Sequence, residues 1–509
     1  MRVLLINPPY RAVTSKLGVG EQVPLGLLSI GGPVSDAGHE AKLIDAEARH
    51  MKIGAIVSEA VAWKPDVILT GHSGSTPAHL TAMRMSRALK DALGQVPIIY
   101  GGVHPTYHAE DILREEPQID ILVRGEGEAT IVNLLNAIDT KKDLASIGGI
   151  AVRKDGQPLL TSTSPPIADL DEFRVGWELI EDWNLYQCWG LGRSALVQLS
   201  RGCPHLCSYC GQRGFWTKQR YRTPERLADE IAWLHKEHGV KFVDLADENP
   251  TTSKKKFLRF LEALISHDLD VKLFATLRAD DIVRDADILH LYKKAGFECF
   301  LMGMETTDAK TQALIRKGST VAKDREAVRL LRSHGIISMM GHVVGFEEET
   351  DKDYWNALRQ ILFYDPDLIN AMYVTPHRWT PFYAEIAKRG VIQPDLSKWD
   401  YRHQVLSTPH IPAWRVFLWV KVTEMAVSLR PRALMRIILH EDRSIRRALR
   451  WCFWRSGLVW LDEILDFLFR DCRLKHPVPL KDLRGDPEPE KEYILSRSGT
   501  KSVRNQNAA

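Results

Sequence analysis

Arg201-Gly-Cys-Pro-His-Leu-Cys-Ser-Tyr-Cys-Gly-Gln-Arg-Gly-Phe-Trp216 holds three of the chain's seven cysteines within eight residues. Cys203, Cys207 and Cys210 stand in the order C-x3-C-x2-C, with the aromatic Tyr209 just before the last. Thiolates are the ligands that iron-sulfur clusters require. Three of them on one short loop can hold three irons of a 4Fe-4S cubane and leave the fourth iron open to a substrate or cofactor. A structural zinc site is the alternative, but closed zinc sites take four ligands, and His205 inside the loop is badly placed to complete a tetrahedron.

The strand that delivers this loop is expected at 195–200. Downstream, apolar runs at 242–246, 272–276, 299–304, 337–345 and 368–374 alternate with amphipathic patterns at 224–238, 254–266, 286–294, 322–333 and 352–363. Six such βα units predict a curled parallel sheet with its helices outside, a partial barrel whose chemistry gathers at the C-terminal strand ends. Those ends are polar: Asp247 and Glu248 after the second strand, Arg278 after the third, Glu305 at the fourth. After the sixth comes Thr375-Pro376-His377-Arg378-Trp379-Thr380-Pro381, a loop whose His377 and Arg378 are candidate substrate contacts, or else parts of an aromatic lid over the barrel mouth.

Upstream, strands at 3–7, 41–45, 66–71, 97–101 and 119–124 alternate with helices at 25–37, 53–63, 78–93, 109–115 and 130–137. Short apolar strands alternating with helices predict a doubly wound α/β domain over 1–147, with its ligand edge at the carboxyl ends of the strands. Asn7, Ser73, Gly101, Gly102, His104, Gly125 and Glu126 lie there, and the glycines let a bulky ligand approach the backbone. Residues 148–192 read as a hairpin and linker, 193–400 as the barrel, 401–476 as a helical region and 477–509 as a disordered tail.

These phrases together resemble the radical S-adenosylmethionine (SAM) family that carries an N-terminal cobalamin-binding domain. Arg-Gly-Cys-Pro-x-x-Cys-x-Tyr-Cys with Phe215-Trp216, then Ala-Asp-Glu-x-Pro-Thr, are similar to the cluster and SAM segments. Asn-Pro-Pro, Gly-Gly-Val-His and Arg-Gly-Glu-Gly-Glu are similar to the cobalamin edge. The resemblance implies a 4Fe-4S cluster on Cys203, Cys207 and Cys210, with Tyr209 beside it. It implies SAM held by Asp247 or Glu248, Arg278 and Glu305, and cobalamin on the N-terminal edge with no protein histidine on cobalt. Within that family the arrangement looks like the anaerobic magnesium-protoporphyrin IX monomethyl ester cyclases. The likeness implies a tetrapyrrole substrate, hydrogen removal from its propionate ester arm, a ketone oxygen from water and closure of the fifth ring. A flavodoxin or ferredoxin would supply electrons. A cobalamin-dependent C-methyltransferase acting on a tetrapyrrole or lipid needs the same parts and stays open, as does, more remotely, a metal-stabilised binding module.

Composition agrees with a soluble multidomain enzyme: 509 residues, 44% hydrophobic, 26% charged, formal net charge +3. The charge balance gives no reason to expect a nucleic-acid partner. The opening Met-Arg-Val-Leu-Leu-Ile-Asn reads as a first strand rather than a signal peptide, and the few, clustered cysteines imply a reducing cytoplasm. The Trp-, Arg- and Leu-rich stretch 414–474 is expected to pack on the barrel, with peripheral membrane contact as its second use.

Overall fold

A computed structural model describes residues 1–212, 214–216 and 218–487. The chain divides into two compact units. The first comprises Met1–Val197, His238–Phe242 and Asp395–Asp400; the second takes Gln198–Glu237, Val243–Pro394 and the chain from Tyr401.

In the first unit, Arg2–Asn7, Glu40–Asp45, Val67–Thr70, Ile98–Gly101 and Ile121–Val123 pair in parallel, with the first strand between the second and third. This is the 2-1-3-4-5 order of a doubly wound sheet, whose ligand crevice falls where the order reverses, between the first and third strands. Strand residues Val3, Leu4, Leu5 and Ile6 are fully buried, because helices cover both faces of a parallel sheet. The hairpin Ile150–Lys154 and Gln157–Leu160 turns at Asp155 and Gly156, whose φ values of +51° and +76° suit a tight two-residue turn. It does not open a linker. Ile150 and Val152 pair antiparallel with Val123 and Ile121, so the hairpin adds two strands to the first sheet, and the compact unit runs on to Val197.

All six expected barrel strands form: Gly192–Val197, Phe242–Leu245, Lys272–Arg278, Phe297–Glu305, Ile337–Val344 and Leu368–Tyr373. The last four lie side by side in chain order, all parallel. Side chains alternate across the sheet. A bulge at Glu298 shifts the register, so Phe297 and Phe300 share a face and enter an aromatic core with Phe257 and Tyr292, all fully buried, with ring centroids 4.9–6.0 Å apart. Gly303 stands opposite Gly341 in register, and the space a Gly303 Cβ would fill is taken by the Glu305 carboxylate at 2.6 Å and the Lys317 ammonium at 2.9 Å. Helix Asp351–Tyr364 starts on a capping box between Thr350 and Asp353.

The helical region is present as Ala413–Leu429, Pro431–Leu439 and Arg443–Phe469. Its buried charges are paired: Glu463 takes Arg402 and Lys421, and Lys421 also binds Glu424 at 2.6 Å. The expected tail begins later than 477. Val478–Pro479 pairs with Gly390–Val391, and Leu480 at the head of a short helix is fully buried. Residues 488–509 of that expectation lie outside the described residues.

Candidate active site

The cysteine loop is pinned at its base. Ser200 and Arg201 pair antiparallel with Tyr221 and Arg220, which brings the two ends of the loop together. Gly202 turns the chain at φ +93°, with Lys218 and Trp216 carbonyl oxygens 2.8 and 3.0 Å from where a Cβ would sit. Only glycine fits that close approach. Cys203, Cys207 and Cys210 are free thiols, with Cys207 buried and the other two partly exposed.

Asp247 anchors the strand that feeds the loop. It accepts the backbone N–H of Leu199 at 2.9 Å and of Ser200 at 2.5 Å, and the Ser200 hydroxyl at 2.5 Å. Burial still pushes its carboxyl up to about 7. Glu248 follows it, accepts the Gly202 N–H at 3.1 Å, and is pushed up to about 8 by burial and by the neighbouring Asp247. With its oxygens turned to the protein's own backbone, Asp247 supports the loop, and Glu248 is the better placed of the two expected SAM carboxylates.

Glu305 sits at the end of its strand at φ +60°. The Lys317 ammonium donates to it at 2.9 Å, and Tyr209 from the cysteine loop hydrogen-bonds it as well. Burial and the Glu305 charge hold the Tyr209 phenol far above its ordinary range. Burial opposes charge on Lys317, but Glu305, with Cys207 beside it, outweighs that and raises its pKa. Arg278 donates to Asp280 at 2.9 Å and to the Lys317 carbonyl at 2.9 Å, and it too lies within electrostatic reach of Cys207. Two buried cations therefore lie within electrostatic reach of Cys207, an arrangement that suits an anionic thiolate cluster. Lys317 was not singled out from the sequence; it lies in a loop, and only the fold carries it back to Glu305.

His377 joins the cysteine loop and Arg378 does not. The His377 ring lies against Gly211, within 2.9 Å of where a Cβ would stand, and stacks on Trp379 at 4.9 Å; its Nε2 meets the Tyr401 hydroxyl at 2.7 Å. The Trp379 indole N–H donates to the Gly211 carbonyl at 2.8 Å. Arg378 instead donates to the Asp486 carbonyl at 2.9 Å, on the C-terminal segment.

On the edge of the first sheet, Asn7 donates to Asp45 at 2.8 Å, which also takes the Tyr186 hydroxyl. Ser73 is exposed. His104 is buried between His79 and His108, each at 4.4 Å, with its Nδ1 3.0 Å from the Thr76 hydroxyl. His72 accepts the Gly74 N–H on Nδ1 at 2.7 Å, so its Nε2–H points to Tyr10 and Glu47. Gly125 donates to Thr106, and Glu126 accepts the Ile167 N–H at 2.6 Å. Gly101 leads into Gly102, and Gly102 and Gly125 have φ +116° and +79° with open space beside them. The buried hydroxyls of Ser75 and Thr130 have no protein partner, which suits an edge that takes a polar, bulky ligand.

The Radical SAM superfamily model matches residues 197–361, and the B12 binding domain model matches residues 11–135. The anaerobic magnesium-protoporphyrin IX monomethyl ester cyclase of Synechocystis sp. is 49% identical over 97% of this chain and 99% of its own length. The chain belongs to this cyclase family. The cyclase of Rubrivivax gelatinosus is 32% identical over 79% of this chain and 72% of its own. Among solved structures, the methyltransferase TsrM from Kitasatospora setae, with cobalamin and a [4Fe-4S] cluster bound, superimposes with a TM-score of 0.68 over 92% of this chain and 99% of its own at 15% identity, which speaks to fold. As a member of the cyclase family the chain is a radical SAM enzyme, with a 4Fe-4S cluster, SAM and cobalamin as cofactors. Among the described residues no three His, Cys, Asp or Glu side chains are drawn together as a metal-binding group, so the fit to a cluster is that three thiols share one short loop with Cys207 set against two cations; the glycine edge with its unpartnered hydroxyls fits cobalamin.

Proposed function

We propose that this chain performs the anaerobic oxidative cyclisation of magnesium-protoporphyrin IX monomethyl ester, a step of bacteriochlorophyll synthesis. The observation that carries the reading is the seating of the three-thiol loop against Glu305, Lys317 and Arg278, in a chain 49% identical to such a cyclase over 97% of its length.

Bound cluster and SAM supply a radical able to take hydrogen from an unactivated C–H bond. Cys203, Cys207 and Cys210 hold the cluster. Glu248 takes the amino group of SAM, and Arg278 with Lys317 takes its carboxylate, a pairing of charges that fixes a zwitterion. Tyr209 and Glu305 lock the loop to the sheet, so the thiols and the SAM pocket share one frame. Gly303 makes room for the Glu305–Lys317 pair, while the His377–Trp379 stack closes the loop side. On the other unit, Gly101, Gly102, Gly125, Ser75 and Thr130 receive cobalamin, with Asn7, His104 and Glu126 shaping the edge from behind. Electrons come from a flavodoxin or ferredoxin, and the reducing cytoplasm that keeps the thiols free is the compartment.

Anaerobically reconstituted protein, given methyl-labelled SAM, a reductant and the magnesium tetrapyrrole ester, is expected to yield 5'-deoxyadenosine and an unlabelled product carrying the new ring. The C-methyltransferase reading, favoured by the shared fold with TsrM, predicts label in the product. That outcome would overturn the cyclase assignment.

A further inference from the structure

The helix Arg443–Phe469 spans 27 residues and uses one side for its own unit: Ile445, Ala448 and Leu449 are buried, Phe467 stacks on Phe417 at 4.2 Å, and Glu463 binds Arg402 and Lys421. Another side carries Trp454, Leu458, Leu461, Leu465 and Leu468, exposed by 74, 60, 56, 37 and 62%. Contiguous apolar exposure on this scale marks an interaction surface.

The spacing says what kind. These five residues follow one another at intervals of four, three, four and three. That is the 3.5-residue period of the narrow seam between two helices, in which each side chain inserts between residues of a facing helix. We propose that the stripe docks on the same stripe of a second copy of this chain, the two helices running antiparallel about a two-fold axis near Leu458 and Leu461.

The flanking residues choose both partner and direction. With the axis there, Leu458 layers on Leu461 of the second copy and Trp454 on Leu465. Arg455, on one flank, comes beside Asp462 of the second copy, and by symmetry the contact occurs twice. Gly457, with open space where a Cβ would stand, comes opposite Ile464, which is 38% exposed. In a parallel pair the flanks would fall on opposite sides of the seam, setting Arg455 beside Arg450 of the second copy and Asp462 beside Gly457, so that neither charge finds its opposite. Within one chain Asp462 meets Arg470 at 3.3 Å with side chains 66% and 59% exposed, a pair weak enough to exchange. The five side chains, with Phe469 exposed by 76% beside them, present apolar surface of the order that one partner of a standard interface buries, about 800 Å².

The test is the mass of the full chain in solution, measured anaerobically with its cluster reconstituted, by light scattering and sedimentation. Wild type is expected to be a dimer at micromolar concentration. Leu458→Glu with Leu461→Glu should give a monomer with unchanged iron content and melting temperature. Arg455→Asp should weaken the dimer about tenfold, and adding Asp462→Arg should restore it. A monomeric wild type, a dimer indifferent to the two glutamates, or a charge swap that fails to rescue would each overturn the proposal. So would a monomer that binds anionic phosphatidylglycerol vesicles through the stripe.

Discussion

Asp247 shows how much of a cofactor loop is held from behind. Its carboxylate gathers three donors from Leu199 and Ser200, just ahead of the cysteines, and replacing it with alanine would strand buried N–H groups at about 1–3 kcal/mol each. Asp247→Ala should therefore lower iron per chain after reconstitution while cobalamin binding by the other unit is retained; equal loss of both would mean general misfolding. The cysteines divide in the same concrete way. Cys203→Ala, Cys207→Ala and Cys210→Ala should each abolish 5'-deoxyadenosine formation, measured by chromatography of the quenched reaction. Cys188→Ala, Cys299→Ala and Cys472→Ala should not, since none lies on the loop. The three candidate ligands could be picked out from spacing because the thiols are local. Lys317 was not, because its partner Glu305 is twelve residues away across a loop whose path only the folded sheet defines.

At the scale of elements, the loop between the fifth barrel strand and helix Asp351–Tyr364 is built on one buried acid. Glu349 accepts the N–H groups of Gly345 and Phe346 at 2.8 and 3.1 Å and the Tyr354 hydroxyl at 2.6 Å, and burial pushes its carboxyl up to about 7 from 4.5. A carboxyl raised on folding binds its proton more tightly in the native state. Its contribution is full below pH 4.5 and is lost as pH rises through about 7. Glu349→Gln should then lie furthest below wild type in melting temperature near pH 5 and close the gap by pH 8. A gap that widened over that range would refute the assignment. The strands and helices themselves were readable from apolar runs and their period, and all six barrel strands stand where alternation put them. The hairpin at 150–160 was readable as a hairpin but not as part of the first sheet, since strand pairing depends on which edge is vacant, and sequence does not record that.

Over the whole molecule, Asp365 ties the barrel to the helical region of the second unit. It ends helix Asp351–Tyr364 in a left-handed conformation and meets Arg332 at 3.0 Å, Arg430 at 2.6 Å and Arg436 at 3.2 Å. Burial works against its charge, yet the three guanidiniums, Arg436 foremost, hold its carboxyl below the usual range. Asp365→Ala would leave Arg332 and Arg430 without this carboxylate, Arg436 keeping Asp367 at 2.9 Å, and should cost about 3 kcal/mol, seen as a lower unfolding midpoint in denaturant. Because the carboxyl is depressed on folding, its stabilisation is present at neutral pH and is lost as pH falls through the folded value, so wild type and variant should converge in acid. By itself the sequence determined the order of α/β units and the family, because local spacing and hydrophobic period encode them directly. Tertiary structure alone decided that Asp247 turns to the backbone, that Lys317 reaches Glu305, that Arg378 faces the C-terminal segment while His377 meets the cysteine loop, and which side of the last long helix stays exposed. Each of these depends on what stands across the gap from a side chain, a neighbour supplied by distant chain and fixed only when the sheets and helices have packed.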